Sequence, residues 1–143
     1  MYASDVMKIV YSDRKTGKTA QADVPAEKEA MLVGRSIGEV IDGSVIGLDA
    51  YKLQITGLSD TSGTPSSKSI DGSRKVYAFI VSRSGKNKGV RRRRLVRGRV
   101  IAHDTQQINT VIVEYGTKPV DEIFKPKASN NAEEGAEAKK AKA

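Results

Sequence analysis

The sequence predicts a mainly β fold, in the form of a small β-barrel-like domain with one or two short helices and a low-complexity C-terminal tail. Six or seven short apolar or alternating segments follow one another closely, and 13 glycines in 143 residues interrupt them. Such spacing is typical of small barrels and sandwiches. Closing the sheet would remove its exposed edges, and glycines would provide the tight corners.

The N-terminal region predicts a β-hairpin followed by a short helix. The segment "MKIVY" at residues 7–11 is rich in strand-forming residues, "AQADV" at 20–24 alternates, and Gly17 lies between them. Pro25 ends the hairpin and can open a helix over 25–33, because proline suits the first helical position. Glu27 and Glu29 suit the first helical turn.

The middle of the chain predicts short strands, turns and one long loop. In residues 34–48 the apolar pieces between glycines are too short for helices, and Asp42-Gly43 is the clearest turn. "YKLQITG" at 51–57 alternates and predicts a strand. Residues 58–73 are rich in Ser, Gly, Thr and Asp and predict a long loop, which in most proteins is functional or mobile.

The third quarter of the chain contains the most β-like segment, "KVYAFIV" at residues 75–81, which predicts a central strand. A basic, glycine-interrupted excursion follows at 82–94, and "LVRGRVIA" and "INTVIVEYG" predict two further strands. After Phe124 no large apolar residue occurs. We therefore expect a β-rich domain at 1–124 and a disordered or helical low-complexity tail at 125–143.

The positive charge of the chain is concentrated in one sector. The net charge is +8, yet no acidic residue occurs between Asp71 and Asp104, a window that holds eleven cations. The rest of the chain is slightly acidic, with 14 basic and 17 acidic residues. We call residues 72–103 the basic sector. A solvated surface normally mixes charges of both signs, so this asymmetry indicates binding to a polyanion.

Arginine outnumbers lysine in the basic sector by eight to three. Guanidinium groups bind phosphate in a bidentate fork and stack on bases, which favours a nucleic acid over a diffuse polyanion. Gly85, Gly89 and Gly98 would let the backbone approach phosphates closely. No helix-turn-helix, zinc finger or basic zipper is present, and the seven aromatic residues form no single-strand-reading signature. Folded RNA, recognised by its shape through phosphates and sugars, is therefore the expected partner.

Catalytic and metal-binding interpretations fit the sequence poorly. "TGKT" at residues 16–19 resembles a phosphate-binding loop, but the glycine that this motif needs five positions before Gly17 is replaced by Ser12, and no helical pattern follows. His103 is the only histidine and there is no cysteine, so a zinc site lacks ligands. Asp42 and Asp71 precede glycines and suit turns. We expect no enzymatic activity, cofactor or small-molecule substrate.

No apolar run in the sequence is long enough for a membrane helix, and the N-terminus lacks the features of a secretory signal. We therefore expect no membrane association.

Three stretches of the sequence are specific enough to compare with known families: "SDRKTGKT", "VGRSIGEVIDGSVIGLDAYKLQITGLSD" and "GVRRRRLVRGRVIAHDTQQINTVIVEYG". With the segments between them they cover about residues 7–116, and over this range the chain resembles the ribosomal protein S6e family of archaea and eukaryotes. The loop "SGTPSSKS" departs from many members, in which a glycine, a bulky apolar residue, Pro and Met occur. The short C-terminus resembles the archaeal form, without the serine cluster of eukaryotic members.

The resemblance implies a cytoplasmic, ribosomal location, with small-subunit ribosomal RNA and neighbouring ribosomal proteins as partners. It also implies that residues 86–94, Arg97 and Arg99 lie against RNA. A free-standing regulatory RNA-binding module is the alternative. The complete set of predicted RNA-binding residues is Lys15, Lys18, Arg74, Lys75, Arg83, Lys86, Lys88, Arg91, Arg92, Arg93, Arg94, Arg97 and Arg99.

Overall fold

The computed structural model describes residues 6–124 and is mainly β. The tail predicted at 125–143 lies outside the described residues. Within them, seven strands, two short α-helices and one 3-10 turn follow one another in the chain. They are β1 (Lys8–Ser12), β2 (Thr19–Asp23), α1 (Ala26–Leu32), β3 (Val40–Asp42), the 3-10 turn (Gly43–Ile46), β4 (Lys52–Asp60), β5 (Lys75–Val81), β6 (Arg91–Arg97), β7 (Thr105–Glu114) and α2 (Val120–Ile123).

Five of the strands form one sheet in the order β2-β1-β7-β4-β3. The pairing of β1 with β7 is parallel, and the other pairings are antiparallel. The predicted N-terminal hairpin is confirmed as β1 and β2, and the predicted helix is confirmed as α1. Pro25 is the residue that precedes the first turn of α1, and Glu27 and Glu29 lie in that turn.

The hydrophobic core lies against the five-stranded sheet. Strand alternation turns Ile9 and Tyr11 of β1 inward, together with Leu53 of β4 and Ile108 of β7, and α1 adds Leu32. A β-bulge between Ile55 and Gly57 shifts the register of β4, so that alternation resumes with Leu58 buried. Fifteen buried hydrophobic residues form this one cluster, and none of them comes from β5 or β6.

Strands β5 and β6 pair with each other and with no other named strand. We call these two strands, with the connection 82–90, the ribbon. The prediction that 75–81 forms a central strand is wrong, because β5 is an exposed strand outside the main sheet. Its aromatic residues Tyr77 and Phe79 are 63% and 60% exposed. Their β propensity reflects pairing within the ribbon and not burial.

Two predicted boundaries also shift. Strand β4 extends to Asp60, so the long loop is shorter than 58–73 and begins after that residue. Arg91–Arg97 is a strand, so the four consecutive arginines belong to β6 and not to the predicted excursion. Because every residue of β6 from Arg91 to Arg94 has a partner in β5, these arginines are held in a fixed register.

The predicted closure into a barrel is not confirmed. In the described part of the chain, β2 and β3 each pair with a single neighbour, so the five-stranded sheet is open. Isolated bridges supplement the sheet, such as the one between Ser36 and Val100. The chain segment after β6 thus returns to the body of the domain before β7 begins.

Candidate nucleic-acid interface

The register of the ribbon divides the four consecutive arginines between its two faces. Phe79 lies opposite Arg93 and Val81 lies opposite Arg91, whereas Arg92 and Arg94 belong to the alternate pairs. Since directly opposed residues of an antiparallel pair point to the same side, Arg91 and Arg93 share one face. Arg92 and Arg94 occupy the other face, and the ribbon presents cations on both sides.

The face with Arg91 and Arg93 also exposes aromatic rings. The Arg93 guanidinium carbon lies 4.5 Å from the ring centroid of Tyr77, and that of Arg91 lies 4.8 Å from the centroid of Phe79. These are cation–π distances. Sequence reasoning found no aromatic reading surface. The alternation of Tyr77, Phe79 and Val81 is the signal in the sequence that indicates such a surface.

The opposite face borders a cleft of about 690 Å³ between the ribbon and the loop 65–69. Ile80 and Val96 form apolar parts of its wall, and three cations surround it. Those cations are Lys68, Arg83 and Arg94. This loop belongs to the segment "SGTPSSKS", in which the sequence departs from many members of the family that it resembles. Its serines line the open cleft.

A buried ion cluster anchors the base of the ribbon to the sheet. Asp60 at the end of β4 is 1% exposed, and its Oδ2 lies 2.8 Å from Lys75 Nζ and 3.4 Å from Arg97 Nη1. Arg97, 7% exposed, also bonds the carboxylate of Asp104. Its Nε and Nη2 donate to the Ser73 carbonyl oxygen at 3.0 and 2.6 Å. A buried charge needs such partners, so Arg97 serves to hold the ribbon in place.

The anchoring carboxylates are held in their charged forms. Burial raises the pKa of Asp60, but hydrogen bonds from Lys75, Ser62 and the Thr64 N–H outweigh it, so the pKa lies well below its usual value. The hydrogen bond from Arg97 lowers the pKa of Asp104, and Asp104 in turn raises the pKa of Arg97. Asp60, Asp104 and Arg97 are therefore ionised at neutral pH.

Gly98 has a structural role different from the predicted one. A Cβ built on it would lie 1.9 Å from the Gly72 carbonyl oxygen, so this glycine lets two segments of the chain itself approach closely. Gly85 and Gly89 have φ values of 74° and 84° and open space around the Cβ position. They serve the bends of the connection 82–90, and the approach of phosphates to them stays a prediction.

The remaining cations of the basic sector are exposed and have no carboxylate partner. Three of the eleven form ion pairs: Lys75, Arg97, and Arg99, whose Nη2 lies 2.9 Å from Asp71 Oδ1. Among residues 6–124, the other eight have no carboxylate oxygen within 4.0 Å. These eight are Arg74, Arg83, Lys86, Lys88, Arg91, Arg92, Arg93 and Arg94.

Lys15 and Lys18 lie in the turn between β1 and β2, away from the ribbon. Ser12, just before that turn, pairs with Val111 of β7, whereas the ribbon is anchored near the start of β7, where Thr105 pairs with Asp60. Val111 and Thr105 are six residues apart along β7, which corresponds to about 20 Å. Lys15 Nζ lies 4.4 Å from the Tyr115 ring centroid. The two lysines therefore do not join the ribbon surface.

The two rejected chemical interpretations have structural explanations. The "TGKT" segment is a hairpin turn, in which the Asp13 carboxylate accepts the Lys15 and Thr16 N–H groups. His103 is exposed in the turn before β7. Among residues 6–124 no group of three or more His, Asp or Glu side chains could hold a metal ion, and no helix there is long and apolar enough to span a membrane.

An open sheet that carries a ribbon of unneutralised cations indicates a polyanion-binding protein, and comparison with known proteins names its family. The chain matches the ribosomal protein S6e family over residues 7–125. It is 45% identical to the small ribosomal subunit protein eS6 of Methanocaldococcus jannaschii over 130 residues, 89% of this chain and 97% of that protein. The eS6 proteins of Methanothermobacter thermautotrophicus and Nanoarchaeum equitans are each 41% identical, covering 82% and 91% of this chain and 94% and 98% of their own lengths.

The chain therefore belongs to the ribosomal protein S6e family, a family of structural, non-enzymatic ribosomal proteins. The predicted resemblance and the predicted absence of enzymatic activity are confirmed by this membership.

Proposed function

We propose that this protein is a constituent of the small ribosomal subunit and binds ribosomal RNA through the ribbon. Its relatives are named small ribosomal subunit proteins, and it aligns with nearly their full length. This favours the ribosomal role over a free-standing regulatory module. The proposal also makes the cytoplasmic ribosome its location, with neighbouring ribosomal proteins beside it.

One observation carries the RNA-binding proposal: eight exposed cations of the ribbon and its base have no acidic partner within residues 6–124. Bringing like charges together destabilises a folded chain by self-repulsion, and a row of phosphates relieves that repulsion. The arginines are moreover held in strand register, so their guanidinium forks are positioned before RNA arrives. Lys75 and Arg97 belong to the basic sector but pair with the carboxylate of Asp60. Because Arg97 is buried, its predicted contact with RNA is not supported.

Lys15, Lys18 and Arg99 have secondary places in the proposal. Arg99 pairs with Asp71 at the surface, where such a pair contributes about 0–1 kcal/mol and is readily exchanged for a phosphate. Lys15 and Lys18 would need a second RNA segment at the far end of the sheet. The barrel-like form of the domain stays a prediction.

The proposal is tested by the salt dependence of binding to isolated small-subunit ribosomal RNA. If roughly six to ten phosphates are engaged, the affinity falls about a thousandfold or more between 50 and 200 mM salt. An Arg92→Gln/Arg94→Gln variant should then reduce the slope of log affinity against log salt by about 1.4 to 1.8, the share of two phosphate contacts.

The matched control is Arg35→Gln/Lys52→Gln, which removes two cations that pair with Glu39 and Glu114 on the body of the domain. This control should leave the slope unchanged. An affinity that stays flat over the salt range would contradict the proposal, and so would equal slope changes in the two variants. If the wild-type chain were absent from assembled small subunits, a free-standing regulatory RNA-binding module would be the better interpretation.

A further inference from the structure

The exposed rings of the ribbon do not belong to the hydrophobic core of the described chain, so packing in that core does not explain their position. Tyr77 and Phe79 are 63% and 60% exposed, and Val81 and Leu95 on the same face are 50% and 37% exposed. Scattered apolar residues at a surface need no explanation, but four that share one face of two paired strands form a contiguous patch. Such a patch indicates a contact surface.

The two rings follow each other along β5 with a guanidinium beside each. Alternate residues of a strand are about 6.6 Å apart, so the rings stand side by side on the same face. Arg93 lies directly opposite Phe79, yet its guanidinium is over Tyr77, and Arg91 lies opposite Val81 with its guanidinium over Phe79. Each arginine thus leans by two residues along β5 in the same direction. The result is that each of the two rings has one guanidinium over it.

The charges of this face decide between an RNA and a protein occupant. An apolar protein surface would desolvate Arg91 and Arg93, and no carboxylate of the described chain lies within 4.0 Å of either guanidinium. RNA meets both requirements at once, because bases stack on aromatic and guanidinium planes while phosphates take the positive charge. Bases inside a duplex hide their faces, so the occupant must be unpaired.

We infer that Tyr77 and Phe79 form a stacking platform for unpaired bases of the bound RNA, with Arg93 and Arg91 supporting the rings. This inference rests on the proposed RNA-binding function and adds a specificity to it: the ribbon selects a segment with exposed bases as well as backbone charge. It revises the expectation, drawn from the sequence, that the protein contacts only phosphates and sugars.

The test compares ring-removing and ring-retaining variants on two RNA probes. Tyr77→Leu/Phe79→Leu keeps apolar bulk and removes both rings, whereas Tyr77→Phe keeps the ring. With single-stranded oligoadenylate at fixed salt, the Leu variant should lose affinity about tenfold to hundredfold per stacked base. Tyr77→Phe should bind as wild type does. The salt slope should be unchanged in both variants, because no phosphate contact is removed. With a duplex RNA of equal length, all three proteins should bind alike.

A fluorescence measurement tests the same contact in a variant that keeps an aromatic ring at position 79. The chain has no tryptophan, so Phe79→Trp introduces a single tryptophan fluorophore at the ring position. Oligoadenylate should quench its emission by stacking, and duplex RNA should leave it unchanged.

Two results would overturn the inference: unchanged single-strand affinity of the Leu variant at equal salt, or absence of quenching at saturation. In the first case, if the Leu variant also fails to join reconstituted small subunits, the face belongs to a neighbouring protein. Failure of the proposed function is distinguishable, because wild-type affinity for both RNA probes would then be insensitive to salt.

Discussion

The five-stranded sheet and the ribbon are built from similar β-forming residues and differ in what they bury. The sheet carries a cluster of 15 buried hydrophobic residues, while the ribbon contributes none to that cluster and exposes Tyr77, Phe79 and Val81. Both regions contain antiparallel strand pairs. The difference teaches that strand propensity and burial are separate properties, since a strand needs only a partner for its hydrogen bonds.

The ribbon is held by polar anchors where the sheet is held by its core. An isolated two-stranded hairpin is marginally stable in water. Here Arg97 ties the base of β6 to Asp60 of the sheet, and the Arg97 N–H and C=O bond to Pro65 and Ser67 of the neighbouring loop. Because the anchor lies at one end, the rest of the ribbon remains free to face a partner.

The largest expected effect comes from matched truncations in the two regions. Leu53→Ala in β4 removes a side chain that is 0% exposed and should lower the free energy of unfolding by about 2–5 kcal/mol. Phe79→Ala in β5 removes a larger side chain that is mostly exposed, and the loss should stay within about 1 kcal/mol. Urea denaturation of both variants measures the difference. Equal losses would mean that the ribbon contributes to the core.

The next effect separates the anchoring arginine from the exposed ones. Arg97→Met leaves the buried carboxylate of Asp60 with Lys75 as its remaining cationic partner among residues 6–124 and should destabilise the domain by about 2–4 kcal/mol. Arg94→Met in the same strand removes an exposed cation and should change stability by about 0.5 kcal/mol or less. Under conditions in which both variants are folded, Arg94→Met should lower the RNA affinity more than Arg97→Met does. An Arg97→Met domain as stable as Arg94→Met would contradict the anchoring role.

The smallest effect is the response of the sheet to acid. The hydrogen bond from the Tyr115 hydroxyl lowers the pKa of Asp13 to about 2, with further help from Lys15 N–H and Thr16. A carboxyl whose folded pKa is lowered adds stability above its ordinary pKa of about 4 and loses it as pH falls through the folded value. The unfolding midpoint in urea should therefore drop between about pH 4 and pH 2.

Tyr115→Phe isolates the contribution of Asp13 to this acid response. The variant removes the hydroxyl donor and keeps the ring beside Tyr51 and Lys15. Its unfolding midpoint should fall less steeply over the same pH interval than that of the wild type. A slope identical to wild type would show that the hydroxyl does not set the pKa of Asp13.

Local patterns allowed much of the fold to be predicted. The alternation of 7–11 and 20–24 around Gly17 predicted the first hairpin, and the acidic first turn after Pro25 predicted α1. The concentration of cations between Asp71 and Asp104 likewise indicated the sector that is proposed to face a polyanion. Such features depend on residues close in the chain, where period and turn chemistry act directly.

The partners of individual side chains were beyond the sequence. Arg97 and Arg94 belong to the same arginine-rich stretch, but only Arg97 meets Asp60 and Asp104, which reach it from other strands and turns. Gly98 similarly abuts Gly72 and not a ligand. Long-range contacts of this kind select which members of a charge run are structural.

The sequence by itself determined the family, the β-rich class and the position of the basic sector along the chain, because these follow from composition, local periodicity and motifs. Only the tertiary structure decided that "KVYAFIV" is exposed, that Arg91 to Arg94 divide between two faces, and that three of the eleven cations pair with carboxylates in the described part of the chain. The physical reason is that burial, facing and ion pairing depend on register and distance between segments remote in sequence. Local residue preferences leave both of these quantities open.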